Sequence, residues 1–257
     1  MKTAFITGAT SGIGMEFARA YAKKGYRLIL TGRRSDILQE FMDRNACDCR
    51  IITADLSLED ELLKLAKELE GEKIDVFINN AGFGTAGSFL ETDTGKELSM
   101  IKVNDIAMHF LFKAVLKKMV KKGKGTIVNV ASSAGLFPAG PYMAGYYASK
   151  AYVVSLTRAV ARELKEKGSK VYVCCLCPGP VDTRFNDNAD VTFALKGISA
   201  ERCVRECLSL MKKKRTVIVP TLMMRAAVFW QRFVPGPILI GMVGRQQKKK
   251  TEIGKRR

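Results

Sequence analysis

Thr3-Ala4-Phe5-Ile6-Thr7-Gly8-Ala9-Thr10-Ser11-Gly12-Ile13-Gly14 begins as a short apolar run with β-branched residues and passes through three glycines. It then continues into a segment of helical period over residues 13–24. A strand, a tight glycine turn and a helix in that order make the first half of a βαβ unit. The alternation recurs along the chain. Further apolar runs at 27–30, 50–53, 75–78, 126–130, 171–176 and 216–219 are separated by amphipathic segments near 35–45, 57–70, 96–122, 145–167 and 199–214. Ser57 stands before Leu58-Glu59-Asp60 as an N-cap with an acid three residues on. Strands separated by helices need crossover connections, which make the sheet parallel and cover both its faces. The expectation is an α/β fold: a doubly wound, Rossmann-type parallel sheet of seven strands with helices on both faces. Residues 1–257 are expected to form one domain, 221–257 being a helical C-terminal extension.

A chain of 257 residues, 47% hydrophobic and 26% charged, has the balance of a packed globular protein rather than a disordered or fibrous one. The seven cysteines are odd in number and fall mostly in apolar runs, as Cys174, Cys175 and Cys177 do, so they read as reduced core thiols. Cys47 and Cys49 lack the second pair or the histidine that a metal site needs. Met1 leads directly into a strand, with no export signal, and the expected location is cytoplasmic. The net charge of +18 gathers in lysine clusters at 117–118 and 121–122 and in the tail, where Arg245, Lys248, Lys249, Lys250, Lys255, Arg256 and Arg257 face only Glu252. Such a charge favours anionic partners, but no nucleic-acid motif accompanies it, and no specific nucleic-acid partner is expected. Residues 221–243 are apolar yet interrupted by Arg225, Arg232, Pro235 and Pro237. That excludes a regular membrane span and suggests a lid, an interface or a peripheral membrane contact.

In doubly wound folds ligands bind beyond the carboxyl ends of the strands. After the first strand, Gly8 suits a tight turn, Gly12 a close approach of backbone to a pyrophosphate, and Gly14 close packing of helix on strand. Thr10, Ser11 and Ile13 complete the loop, whose helix N-terminus offers N–H groups and positive potential to phosphate. After the second strand comes Gly32-Arg33-Arg34, with no acid to hold a ribose 2′-hydroxyl. Two arginines there suit a 2′-phosphate, hence NADP(H). Asp55, in Asp55-Leu56 after the third strand, suits the adenine amino group. Asn79-Asn80-Ala81-Gly82, after the fourth, suits a turn that passes beside the cofactor while its asparagines tie strands together.

Tyr146 and Lys150 stand four apart at the start of a helical segment and so share a face. A nearby ammonium stabilises a phenolate, so the pair reads as an acid/base unit. Ser132 and Ser133 follow the fifth strand, where a hydroxyl can steady charge on a substrate oxygen. Asn104 lies inside a long helix, an unfavourable place unless its side chain has a task.

In order, Thr7 to Gly14, Asn79 to Gly82, Asn104, Ser133, Tyr146-xxx-Lys150 and Pro178-Gly179-Pro180-Val181-Asp182-Thr183 resemble the signature of the short-chain dehydrogenase/reductase family. The likeness runs from residue 3 to about 220. It implies hydride exchange between NADP(H) and a carbonyl or alcohol carbon. Tyr146 would act as acid/base, Lys150 would lower its pKa and bind the nicotinamide ribose, Ser133 would position the carbonyl, and Asn104 would anchor a water linking Lys150 to solvent. Ser133 is preferred to Ser132 because its interval to Tyr146 is the family's. Pro178, Gly179, Val181 and Thr183 match the segment that contacts the nicotinamide carboxamide, and the family implies a homodimer or homotetramer.

Residues 183–199 correspond to the family's substrate lid. Tyr147 has the wrong spacing for catalysis, Tyr142 and Tyr152 read as lining or core, and His109, the only histidine, has no partner in view. Met223, Met224, Phe229, Trp230 and Phe233 read either as core or as cover for an apolar substrate such as a 3-oxoacyl thioester, a steroid or another lipid-like ketone. The alternative to an enzyme is a dinucleotide-binding sensor or scaffold without turnover.

Overall fold

The structure is a computed structural model that describes residues 1–182 and 197–255, the side chains of 249–255 excepted. Seven parallel strands form its centre: β1 (Thr3–Thr7), β2 (Arg27–Gly32), β3 (Cys49–Thr53), β4 (Val76–Asn79), β5 (Gly125–Val130), β6 (Val171–Leu176) and, after a separate two-strand pairing of β7 (Val181–Asp182) with β8 (Ile198–Ser199), β9 (Val217–Ile218). Their order is β3-β2-β1-β4-β5-β6-β9. The order reverses between β1 and β4, and a cleft opens beyond the strand ends at such a reversal.

The strands are buried on both faces because helices cover both. Residues that alternate along a strand supply the two halves of the core. Phe5, Ile29, Phe77, Ile127 and Val173 point toward α3 (Glu59–Glu68), α5 (Met108–Lys122) and α6 (Ala144–Glu166). Ile6, Leu28, Leu30, Ile78, Val128 and Cys174 point toward α1 (Gly12–Ala22), α2 (Ser35–Asn45) and α7 (Ala200–Met211). Phe5 and Phe77 stack with ring centroids 4.7 Å apart. All seven cysteines are free, and those of β6 and α7 are buried as the sequence suggests.

A buried polar chain crosses the first half of this core. Asn79 Nδ2 donates to the Met108 carbonyl at 2.9 Å and to Asn129 Oδ1 at 3.3 Å. Asn129 Nδ2 donates in turn to Thr157 Oγ1 at 3.0 Å, and the Thr157 hydroxyl donates to the Val153 carbonyl at 2.6 Å. Buried amides must be paired, so this chain fixes β4, β5 and α6 relative to one another.

Two local expectations are corrected and one open choice is decided. The helix expected over 96–122 is α4 (Thr94–Ile101), a π-helical turn (Lys102–Ala107) and α5. Ser57 does not cap α3, because its amide and hydroxyl both donate to the Asp55 carboxylate, at 2.9 and 2.7 Å. The extension forms α8 (Leu222–Trp230), a short 3-10 turn (Gln231–Phe233) and α9 (Gly236–Lys255), and Phe229, Trp230 and Phe233 are not core. They are exposed, Trp230 by 64%, and pack on one another with centroids 5.5–5.7 Å apart. No helix among the described residues is long and apolar enough to cross a membrane.

Candidate active site

A cleft of about 740 Å³ runs along the carboxyl ends of β1, β2, β4, β5 and β6. One half is built around the glycine loop. Gly8 and Gly12 have φ of +63° and +53°, a region that favours glycine. A Cβ on Gly14 would lie 2.3 Å from the Gly8 carbonyl oxygen, so helix and strand approach as closely as they do only because that carbon is missing. Asn80 Nδ2 holds the loop by donating to the Thr7 and Gly8 carbonyls at 3.0 and 3.1 Å, while Thr7 Oγ1 accepts from the Asn80 and Ala81 amides. Thr7, the first residue of that signature stretch, thus braces the loop from the end of β1. Ser11 precedes α1 without capping it through its side chain. The first N–H groups of α1 therefore face the cleft, where Thr10, Ser11 and Ile13 form its wall.

Arg33, Arg34, Asp55 and Leu56 line the far end of this half. Arg34 donates to the Thr10 carbonyl at 3.2 Å, and the 70% exposed Arg33 side chain lies 3.7 Å from the Asp55 carboxylate. Burial alone would raise Asp55, but the Ser57 hydrogen bonds and Arg33 outweigh it and hold the carboxyl below its usual range. A helix N-terminus without a side-chain cap, a close glycine loop and two guanidinium groups fit the phosphates of a dinucleotide.

The other half contains the buried pair. Tyr146 and Lys150 lie one turn apart at the start of α6, and Lys150 Nζ donates to the Val130 carbonyl at 3.2 Å. The ammonium nitrogen is 5.8 Å from the Tyr146 ring centroid. The serine on the phenol is Ser132, not the expected Ser133. The Ser132 hydroxyl is hydrogen-bonded to Tyr146 and also accepts from the Ala134 amide at 3.1 Å. Ser133 lines the cleft, but its backbone N–H donates to the Pro178 carbonyl at 2.8 Å. Burial pushes Tyr146 up to about 12, against the opposing effect of the Ser132 bond, so the phenol is protonated at neutral pH. Burial lowers Lys150 to about 8, opposed first by the charge of Asp105.

Asn104 is buried in the π-turn. Its Oδ1 accepts from the Phe83 amide at 3.1 Å, and its Nδ2 donates to the Phe83 carbonyl at 2.9 Å and to Ser149 Oγ at 3.1 Å. It thus staples the segment after Gly82 to α6, with Gly82 packed against Asn104 and Lys150. The next residue, Asp105, escaped the sequence reading. Its Oδ1 is buried without a hydrogen-bond partner, and burial pushes its carboxyl up to about 6 despite the nearby Lys150. His109 also has a partner after all, Tyr152 Oη at 2.5 Å from Nδ1.

Pro178, Gly179 and Val181 line the cleft between its two halves, whereas Thr183 and the expected lid to residue 196 lie outside the described residues. The roof comes from the extension. Met224 and Ala227 of α8 and Val243, Gln246 and Gln247 of α9 border the cleft, and Gln231 Nε2 ties the 3-10 turn to the Leu136 carbonyl at 2.8 Å. Tyr147, unpromising by its spacing, also lines the cleft and accepts from Gln247 Nε2 at 2.7 Å.

Comparison with known proteins places this geometry. A family model described as short chain dehydrogenase matches residues 2–193. Dehydrogenase/reductase SDR family member 6 of Aquarana catesbeiana is 32% identical over 206 residues, covering 78% of this chain and 82% of that protein. A short-chain dehydrogenase from Sphingobium yanoikuyae, solved in complex with NADPH, superposes with a TM-score of 0.81 at 28% identity over 91% of this chain and 92% of that one. A short-chain dehydrogenase/reductase from Burkholderia phymatum, solved in complex with NAD, does so with the same TM-score at 26% identity over 90% and 93%.

Proposed function

The chain belongs to the short-chain dehydrogenase family, and from that premise we propose that it is an NADP(H)-dependent oxidoreductase interconverting a ketone and a secondary alcohol on an apolar substrate. The observation that carries the reading is the buried pair Tyr146 and Lys150, with the half-buried Ser132 on the phenol, beside the nicotinamide end of a dinucleotide-shaped cleft. The dinucleotide, when bound along Gly8–Gly14, Asp55, Asn80–Gly82 and Pro178–Val181, supplies the hydride. Tyr146, protonated at neutral pH, donates its proton to the carbonyl oxygen as that oxygen gains charge. Ser132 hydrogen-bonds the same oxygen. Lys150 stabilises the resulting phenolate and returns a proton to it, so ketone, NADPH and one proton become alcohol and NADP⁺. Asn104 acts by holding the Phe83 segment and Ser149 in place around Lys150.

NADP(H) is preferred over NAD(H) on the strength of Gly32-Arg33-Arg34, where β2 ends without a carboxylate. Phe83, Val103, Phe137, Met143, Met224 and Val243 give the substrate half its apolar lining. Purified protein should oxidise NADPH with a panel of bulky apolar ketones, and Tyr146→Phe should lower kcat by about 10²–10⁴. Failure of the protein to bind either pyridine nucleotide would end the reading.

Two features support finer parts of it. Leu222, Met223, Phe229, Trp230 and Phe233 are exposed together on the extension, with the exposed Arg232 among them, which suits α8 lying on an anionic membrane surface. Ile101, Ile106 and Tyr152 are exposed on the π-turn and α6 side, which suits a second copy of the chain packing there. Light scattering at two concentrations tests the second, and vesicle sedimentation the first.

A further inference from the structure

Gln247 is one of two glutamines, with Gln246, in a roof whose other residues are Met224, Ala227 and Val243, and of the two it is the buried one. It is only 5% exposed, it borders the cleft, and its carboxamide is divided unequally. Nε2 donates to Tyr147 Oη at 2.7 Å, while Oε1 is buried and has no hydrogen-bond partner. A buried amide carbonyl without a partner is unfavourable and uncommon in folded proteins, and it acquires a purpose if a ligand supplies the donor.

Tyr147 completes the arrangement. Its oxygen accepts from Gln247, which leaves its own O–H to donate. Burial, opposed by the Gln247 bond, raises its pKa and keeps that proton in place. The two side chains together therefore offer one acceptor and one donor side by side, the complement of a hydroxyl group, which both donates and accepts. A hydroxyl also fits if the carboxamide is turned over, because it can accept from the amide N–H instead.

The surroundings hold this pair rigidly and close to the reacting group. The Tyr147 ring is 6.4 Å from that of Tyr146, centroid to centroid. Gly140 packs so tightly on the Tyr147 ring that a Cβ there would come within 2.3 Å of it, and Pro141 lies against Gly244 of α9, three residues before Gln247. Met143 and Val243 flank the pair with apolar surface. A polar pair fixed among the apolar residues of the substrate half discriminates strongly, because a ligand lacking the matching group leaves it unpaired.

We propose that Gln247 and Tyr147 form a second recognition point for substrate, binding a hydroxyl group carried by an apolar ketone at a position remote from the reacting carbon. This rests on the oxidoreductase reading above and narrows its substrate class to hydroxylated apolar ketones. The test compares a decalone bearing a hydroxyl on its distal ring with the parent decalone, measuring NADPH oxidation and, separately, calorimetric binding of each ketone to the NADP⁺-loaded enzyme. The wild type should favour the hydroxylated ketone by about tenfold or more in kcat/KM, expressed in KM and in binding rather than in kcat. Gln247→Leu and, independently, Tyr147→Phe should each bring that ratio close to one, with thermal melts confirming that both variants fold. If both ketones turn over without preference, or the ratio survives in both variants, the second recognition point is overturned and the oxidoreductase reading stands. If NADP(H) binds but neither ketone binds or reacts, the hydroxyketone class is likewise overturned. If no pyridine nucleotide binds at all, the wider reading falls and takes this one with it.

Discussion

Ser132 sets its hydroxyl on the Tyr146 phenol, while Ser133, the next residue, uses its backbone N–H on the Pro178 carbonyl. The two serines can therefore be separated by experiment. Ser132→Ala should reduce kcat by about 10²–10³, the usual loss when one donor to a developing oxyanion is removed. Ser133→Ala keeps its backbone bond and should stay within a few-fold of the wild type. Steady-state kinetics on both variants decides between them.

Asp105 is the first charge that opposes the downward shift of Lys150, so its removal has a definite sign. In Asp105→Asn the Lys150 pKa should fall below its present value of about 8. If the ammonium is the active form, the alkaline limb of the kcat profile should move to lower pH, and an unmoved limb would contradict the coupling. Stability changes in the other direction. Asp105 is raised from 3.8 to about 6 in the fold, so its favourable contribution is complete below pH 3.8 and is lost as pH rises through 6. The asparagine variant, which does not titrate, should accordingly gain in melting temperature relative to the wild type as pH rises from 4 to above 6.

Arg33 and Arg34 border the cleft where β2 ends. Replacing both with alanine should raise the KM for NADPH by about 10–100-fold, the loss of one or two charge-assisted contacts to a phosphate, and leave that for NADH nearly unchanged. Equal effects on the two nucleotides would remove the case for a 2′-phosphate site.

Trp230 and its neighbours Phe229 and Phe233 are exposed as one cluster. Changing all three to serine should abolish sedimentation with vesicles containing anionic lipid, and high salt should weaken wild-type binding. Binding that persists in the triple variant would assign it to the basic residues alone.

Much of the fold can be read directly in the sequence because strands covered on both faces are apolar on both, and the cores of the runs around Phe5, Ile29, Phe77 and Ile127 carry that pattern, with Asn79 and Asn129 as paired polar exceptions. Tyr146 and Lys150 are legible for a similar reason, since both lie in one helical turn. What could not be read depends on geometry between segments. The interval from serine to Tyr146 crosses a 3-10 turn, Ser133–Leu136, and a loop, so counting residues points to Ser133 whereas the hydroxyl bonded to the phenol is that of Ser132. The π-turn adds a residue to a helix without disturbing the apolar pattern around it, and so Asp105 gave no signal. Gln247 meets Tyr147 across 100 residues of chain, a distance over which spacing carries no information.

Thr157 sits two helical turns beyond Lys150 and three beyond Tyr146, on the same stripe of α6, and it is there that Asn129 grips the helix. That grip works like a keyed shaft. It sets the angle at which α6 seats on the sheet, and with it the direction in which the phenol and ammonium aim. A change at Thr157, deep in the interior and remote from any ligand, would therefore be felt at the reacting atoms as a misalignment while leaving every group there chemically intact.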